Sequence, residues 1–122
     1  MDKRVLLPTD YSKNALNAIR YAMELYKNVR CDFYILNAFH ISGYTLDSMR
    51  VPESGEPYYE VAKQESEEGM AKLMQMVKLH PQNDKHEFHT ITTFNSLTEA
   101  IRIIIDKKDI DVIVMGTKGI TE

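Results

Sequence analysis

Three apolar runs of strand length, Arg4 to Leu7, Asp32 to Phe39 and Ile110 to Met115, and a threonine-rich alternating run, His86 to Phe94, are separated by stretches with a helical repeat. No other feature of the chain constrains its fold as much. Parallel strands cannot be joined by tight hairpins, so each helix-length connection must cross over and return the chain to a neighbouring strand, in the right-handed sense. The expected element order is βαβ, a long loop, then αβαβ. This is an α/β fold, a Rossmann-like open parallel sheet in three layers.

The first helix follows the polar cluster Thr9-Asp10-Tyr11-Ser12, in which Asp10 or Ser12 supplies the N-cap oxygen. Its inward stripe is Ala15, Ala18, Ile19, Ala22, Met23 and Tyr26. Residues 41–57 contain Gly43, Pro52, Gly55 and Pro57 without a sustained period and read as a long loop. From Tyr58 a second helix carries Ala62, Ser66, Gly69, Met70, Leu73, Met76 and Val77 on one stripe. The small residues Ala62, Ser66 and Gly69 permit close approach to the sheet, and residues 80–84 end the helix. A third helix starts at Asn95-Ser96, with Leu97, Ala100, Ile101, Ile104 and Ile105 inward and Thr98 and Glu99 in its first turn; Asp109 breaks it.

The last strand is continuously apolar and so is expected at the centre, whereas the polar third strand suits an edge. Ligands of doubly wound sheets bind beyond the carboxyl ends of the strands, where the strand order reverses. An order of 3-2-1-4 puts that crevice between strands one and four, and Asp10 and Gly116 follow those two strands.

With 122 residues and a formal charge of -3, the chain is sized for one domain and has no basic stripe to suggest nucleic acid. Its single cysteine, Cys31, excludes an intrachain disulfide framework and a cysteine-based zinc site. No apolar stretch reaches the roughly 18 residues of a membrane span, and Pro8 and Asp10 interrupt the N-terminal apolar run. A cytoplasmic protein without membrane contact is expected.

Gly116-Thr117-Lys118-Gly119 lacks both the G-x-G-x-x-G of dinucleotide sites and the lysine-hydroxyl ending of a P-loop, so by itself it fits a tight turn as well as a phosphate cradle. His86 and His89 stand three apart on a strand, point to opposite faces and cannot share a metal ion; no metal site is expected. His40 has no serine or cysteine nucleophile placed to pair with it. Glu65, Glu67 and Glu68 read as a solvated helix face, and Met70, Met74 and Met76 as core filling. No catalytic residues emerge.

Read in order, KRVLLPTDYSKNALNAIRYA, FYILNAF and DVIVMGTKG resemble the universal stress protein family, and the likeness spans the chain. The resemblance implies a parallel α/β domain of five strands, in one branch of which ATP or AMP is bound through a G-x2-G-x9-G-S/T motif. By position, Pro8, Thr9 and Asp10 match the turn after the first strand, where the aspartate lies by the adenosine. Ala38 matches the strand-two residue whose backbone meets adenine, and Met115, Gly116, Lys118 and Gly119 match the start of the phosphate loop.

The third glycine and the hydroxyl residue of that motif would come nine residues beyond Gly119, whereas the sequence given ends at Glu122. Residues 1–122 are therefore expected to be a C-terminally truncated stress protein domain without the fifth strand, a fragment such as the first domain of a tandem protein. Losing several charge-assisted hydrogen bonds, each worth about 1.5–3 kcal/mol, weakens phosphate binding more than adenosine recognition. The expected function is binding or sensing of ATP or AMP, with Mg2+ only alongside ATP and at most slow hydrolysis. The competing expectation is a nucleotide-independent module that forms a homo-oligomer through the bare edge of the fourth strand.

Overall fold

The computed structural model describes residues 2–39 and 57–116. Its elements are β1 (Lys3–Pro8), α1 (Lys13–Leu25), β2 (Cys31–Phe39), α2 (Pro57–Val77), β3 (His86–Phe94), α3 (Leu97–Lys108) and β4 (Val112–Ile113). All strand pairs are parallel and the sheet order is β3-β2-β1-β4, as the alternation of strands and helices requires.

β1 and β2 are apolar on both faces because both faces are covered. On one, Val5, Leu7, Phe33 and Ile35 pack beneath Leu16, Ile19, Ala22 and Met23 of α1 and Met70, Leu73 and Val77 of α2. On the other, Leu6, Tyr34 and Leu36 pack beneath Ala100 and Ile104 of α3. Three layers result, with two helices on one side and one on the other.

The helical stripes are right in phase but not in width. Leu16 of α1 is buried although it lies outside the expected stripe, while Met76 of α2 and Leu97 of α3 are exposed although they lie inside theirs. Met76 lies to the side of the buried line Met70, Leu73 and Val77 of α2, and Leu97 is the first residue of α3, so neither points squarely at the sheet. Met70 is buried and Met74 packs against the core margin, so of the three methionines expected as core filling only Met76 is exposed.

β4 departs further from expectation. It is not central: β1 lies on one side of it, and among the described residues no strand lies on the other. Its regular ladder covers only Val5↔Val112 and Leu6↔Ile113, extended by Asp111 N–H to Arg4 O at 2.8 Å and Val114 N–H to Leu6 O at 3.0 Å. The next β1 residue facing β4 is Pro8, two beyond Leu6, and proline has no N–H to donate to the ladder. Pro8 thus limits the ladder instead of merely following β1. β3 is polar and half-buried along its length, and it does lie at an edge.

At the amino ends of the strands, Arg4 closes α3 onto the sheet. Its guanidinium donates to the carbonyl of Lys108 at 3.2 Å and meets Asp109 Oδ2 at 3.4 Å. Asp109 is the C-cap at φ 52°, a left-handed conformation that aspartate tolerates better than most residues.

Candidate functional site

Beyond the carboxyl end of β1 the chain must reverse into α1 within four residues. Tyr11 makes the reversal at φ 66°, a left-handed conformation costing a residue with a Cβ about 1–2 kcal/mol. Thr9 Oγ1 accepts the Tyr11 N–H at 3.0 Å and Asp10 Oδ1 accepts the Ser12 N–H at 2.9 Å, two local bonds that fold the backbone back on itself. Ser12 then caps α1, its hydroxyl accepting the Ala15 N–H at 3.2 Å. The cap is therefore Ser12, and Asp10 shapes the turn that precedes it.

This turn rests on a buried polar chain drawn from three elements. Asn37 Nδ2 donates to the carbonyl of Thr9 at 2.8 Å, and Ser66 of α2 donates its hydroxyl to Asn37 Oδ1 at 2.6 Å. The Tyr11 hydroxyl donates to the Ser66 carbonyl at 2.6 Å. The ring of Tyr11 needs a residue without a side chain on α2: a Cβ at Gly69 would stand 2.5 Å from it. The small residues of α2 therefore admit Tyr11 and bond Asn37, a more specific role than close approach to the sheet.

Gly116 closes the opposite wall. A Cβ there would lie 2.4 Å from the carbonyl oxygen of Asn14 and 3.1 Å from the Ala15 nitrogen, so the segment after β4 packs directly on the first turn of α1. Close backbone approach by itself accounts for this glycine. The approach also places Gly116 beside a helix N-terminus whose first turn has no acidic residue, an environment that favours an anion.

Pro8, Thr9, Asp10, Ala38, Met115 and Gly116 together line one cavity of about 150 Å³ at the carboxyl edge of the sheet. These six expected site residues come from the ends of β1, β2 and β4, far apart in sequence. Lys118 and Gly119, the other two, lie outside the described residues, as does His40. Asn14 and Leu97 also border the cavity, as does Asn37, which sequence reasoning overlooked. Its signal was present: an amide inside the apolar run FYILNAF requires a partner when buried.

Burial pushes the Tyr11 phenol above its ordinary value, with hydrogen bonding to Ser66 a smaller opposing influence. The folded state thus retains the phenolic proton after the unfolded chain has lost it. The corresponding stability is complete below about pH 10 and falls as pH rises through the higher folded value. Burial, opposed by Lys3 and reinforced by Asp32 and Asp2, raises the Cys31 thiol as well, with the same sign of effect from about pH 8.5. In a Cys31→Ala background, the urea midpoint is expected to drop between about pH 8 and about pH 11, and to drop less with Tyr11→Phe. Equal drops in the two proteins would show that Tyr11 titrates alike folded and unfolded.

The histidines of β3 diverge as strand geometry demands. His86 packs edge-on to Phe33 at 4.9 Å and its Nε2 meets the Tyr26 carbonyl at 2.9 Å, whereas His89 stacks on Tyr34 at 4.7 Å on the α3 side. Neither reaches the crevice.

The sequence model of the universal stress protein family matches residues 1–122. The chain belongs to this family. It is 28% identical to the universal stress protein MJ0531 of Methanocaldococcus jannaschii over 124 residues, covering 98% of this chain and 66% of that protein, slightly under two thirds of its length. Among solved structures, the universal stress protein UspA of Lactobacillus plantarum superposes with a TM-score of 0.71 at 18% identity, covering 97% of this chain and 81% of that one. The protein MJ0577 superposes at 0.65 and 21% identity, covering 98% and 78%. A universal stress protein solved in complex with cAMP superposes at 0.62 and 16%, covering 92% and 74%. At these identities the structural likeness establishes the fold.

Proposed function

We propose that this universal stress protein domain binds an adenine nucleotide in the crevice between β1 and β4. The observation that carries the reading is the convergence of Pro8, Thr9, Asp10, Ala38, Met115 and Gly116 on one cavity at the N-terminus of α1. The cAMP complex of a protein with this fold supports the ligand class. Asp10 holds the ribose or adenine end, the backbone of Ala38 meets the base, and Gly116 stands on the phosphate side, where Lys118 and Gly119 follow in sequence. The volume of about 150 Å³ falls below the roughly 300–1,000 Å³ of complete small-molecule sites, so the described residues form the inner wall of the site. With ATP, the phosphates themselves bring Mg2+; among the described residues the crevice is lined by a single acid, Asp10, and by no lysine, which suits binding more than efficient hydrolysis.

Calorimetry with AMP, ATP and cAMP tests this. Asp10→Ala is expected to weaken binding about 10- to 100-fold, the loss of one charge-assisted hydrogen bond. Asp10→Asn keeps an oxygen for the Ser12 N–H and so separates loss of charge from loss of the turn. Equal affinities for wild type and both variants would remove Asp10 from the site.

A second reading, an oligomerising module that needs no nucleotide, is favoured by one observation. Ile113 and Met115 are exposed beside the β4 edge, a surface a second copy could extend by strand pairing. A dimer in light scattering, together with no thermal shift at millimolar nucleotide, would decide for it.

A further inference from the structure

We infer that the amino ends of β2 and β3 form a binding site for a divalent transition ion of the zinc type, held by Asp32, Glu87 and His89. The three residues offer ligand atoms that all lie within 4.8 Å of one another. His89 Nε2 is 3.2 Å from Asp32 Oδ1 and 3.5 Å from Glu87 Oε1. Bonds of about 2.0–2.2 Å place neighbouring ligands of a tetrahedral ion about 3.3–3.6 Å apart, so both spacings from His89 already match, and the two carboxylates, within 4.8 Å of each other, need only close in.

The sheet itself positions the set. Glu87 and His89 are two apart on β3 and share a face, and Asp32 stands directly opposite Glu87 in the β2–β3 register. The imidazole plane is fixed by stacking on Tyr34, a buried residue, at 4.7 Å and 18°. A ligand set on paired strands with a stacked ring is preorganised in a way that loop residues are not.

The charges favour a cation as well. One ring nitrogen faces two carboxylates and can donate only one proton, so one carboxylate always faces it without a hydrogen from that ring. Neither acid forms an ion pair with lysine or arginine among the described residues. Arg4, opposite Asp32 in the β1–β2 register, is turned to the Lys108 carbonyl and Asp109, and Lys108 of the adjoining helix lies over the Tyr34 ring, 6.0 Å from its centre. A nitrogen with two carboxylate oxygens selects zinc and its transition-metal neighbours over magnesium or calcium, which prefer oxygen throughout. Three protein ligands leave a coordination position open to water or an external group.

Sequence reasoning dismissed a metal here because it weighed only His86 with His89, which do lie on opposite faces. The third ligand comes from the neighbouring strand, 55 positions before Glu87 in number, and only pairing brings it close. The set lies at the opposite edge of the sheet from Ala38, six residues or about 20 Å along β2, so it is independent of the proposed nucleotide crevice.

The test is calorimetric titration of the tag-free protein with Zn2+ and, separately, Mg2+, without nucleotide. A saturable single site for Zn2+ is expected, with Mg2+ much weaker. His89→Gln and Asp32→Asn should each weaken Zn2+ at least about 10-fold, the least that losing even an outer-shell partner costs. Glu87→Gln, at the most exposed of the three positions, provides the same test should another variant not fold. His80, just beyond α2, meets Glu24 of α1 at 3.1 Å, away from the set; Asp10→Asn and His80→Gln should therefore leave Zn2+ affinity unchanged, and nitrogen NMR of the imidazoles should show His89 Nε2 shifting on zinc addition. Absence of saturable Zn2+ binding, an affinity indifferent to His89→Gln and Glu87→Gln, or loss of binding in His80→Gln would overturn the assignment.

Discussion

Replacing Asn37 by alanine is expected to lower the unfolding free energy by about 2–5 kcal/mol, because two buried partners are stranded at once. The amide gives its N–H to the Thr9 carbonyl and takes the Ser66 hydroxyl, and both Asn37 and Ser66 are buried. Each orphaned group costs about 1–3 kcal/mol, far more than a typical hydrogen bond contributes net. The damage should also reach the crevice. Thr9 begins the turn that presents Asp10, and Tyr11, bonded to the Ser66 carbonyl, holds the left-handed conformation that completes it. Urea denaturation gives the stability loss, and nucleotide calorimetry at a temperature where the variant remains folded gives the effect on binding. A loss below about 0.5 kcal/mol would mean that water replaces the amide and that the chain of bonds does not order the turn.

Phe33→Ala should cost about 3–5 kcal/mol, a large part of the 5–15 kcal/mol total stability usual for a domain. Phe33 is fully buried at the centre of the larger core, between the rings of Phe88 at 5.2 Å and His86 at 4.9 Å. Truncation leaves a cavity that two strands and α2 cannot all collapse to fill. Both flanking rings belong to β3, so hydrogen exchange should accelerate first in that strand, while β1, held on both sides, keeps its protection. Phe33→Leu, which retains most of the volume, should cost less than half as much. Uniform acceleration across the sheet in Phe33→Ala would instead mark one cooperative unit with no separable edge.

Much of this architecture was legible because it rests on short-range periodicity. The polar caps at Ser12 and Ser96, the three-and-four repeats of α1 and α3, and the doubly apolar β1 and β2 each encode an element locally, and their alternation leaves parallel pairing as the consistent topology. Where local reasoning failed, neighbours decided. β4 is as apolar as a central strand, yet Pro8 on β1 cuts its ladder short. Leu97 fits its stripe, yet as the first residue of α3 it borders the crevice instead of the core. The candidate site was partly legible for a different reason: Pro8, Asp10 and Gly116 are punctuation marks at strand ends, visible as turn chemistry, whereas Asn37 looked like one polar letter in an apolar word.

By itself, then, the sequence determined the α/β class, the element order and the family, since these follow from patterns a few residues long. Tertiary structure alone decided which residues work together. Whether Asn37 supports Thr9, why position 116 must be glycine, and that Asp32 meets His89 are all matters of register and close approach between segments distant in the chain. Hydrogen bonds, close packing and metal coordination act over a few ångströms in space, and linear separation carries no record of that distance.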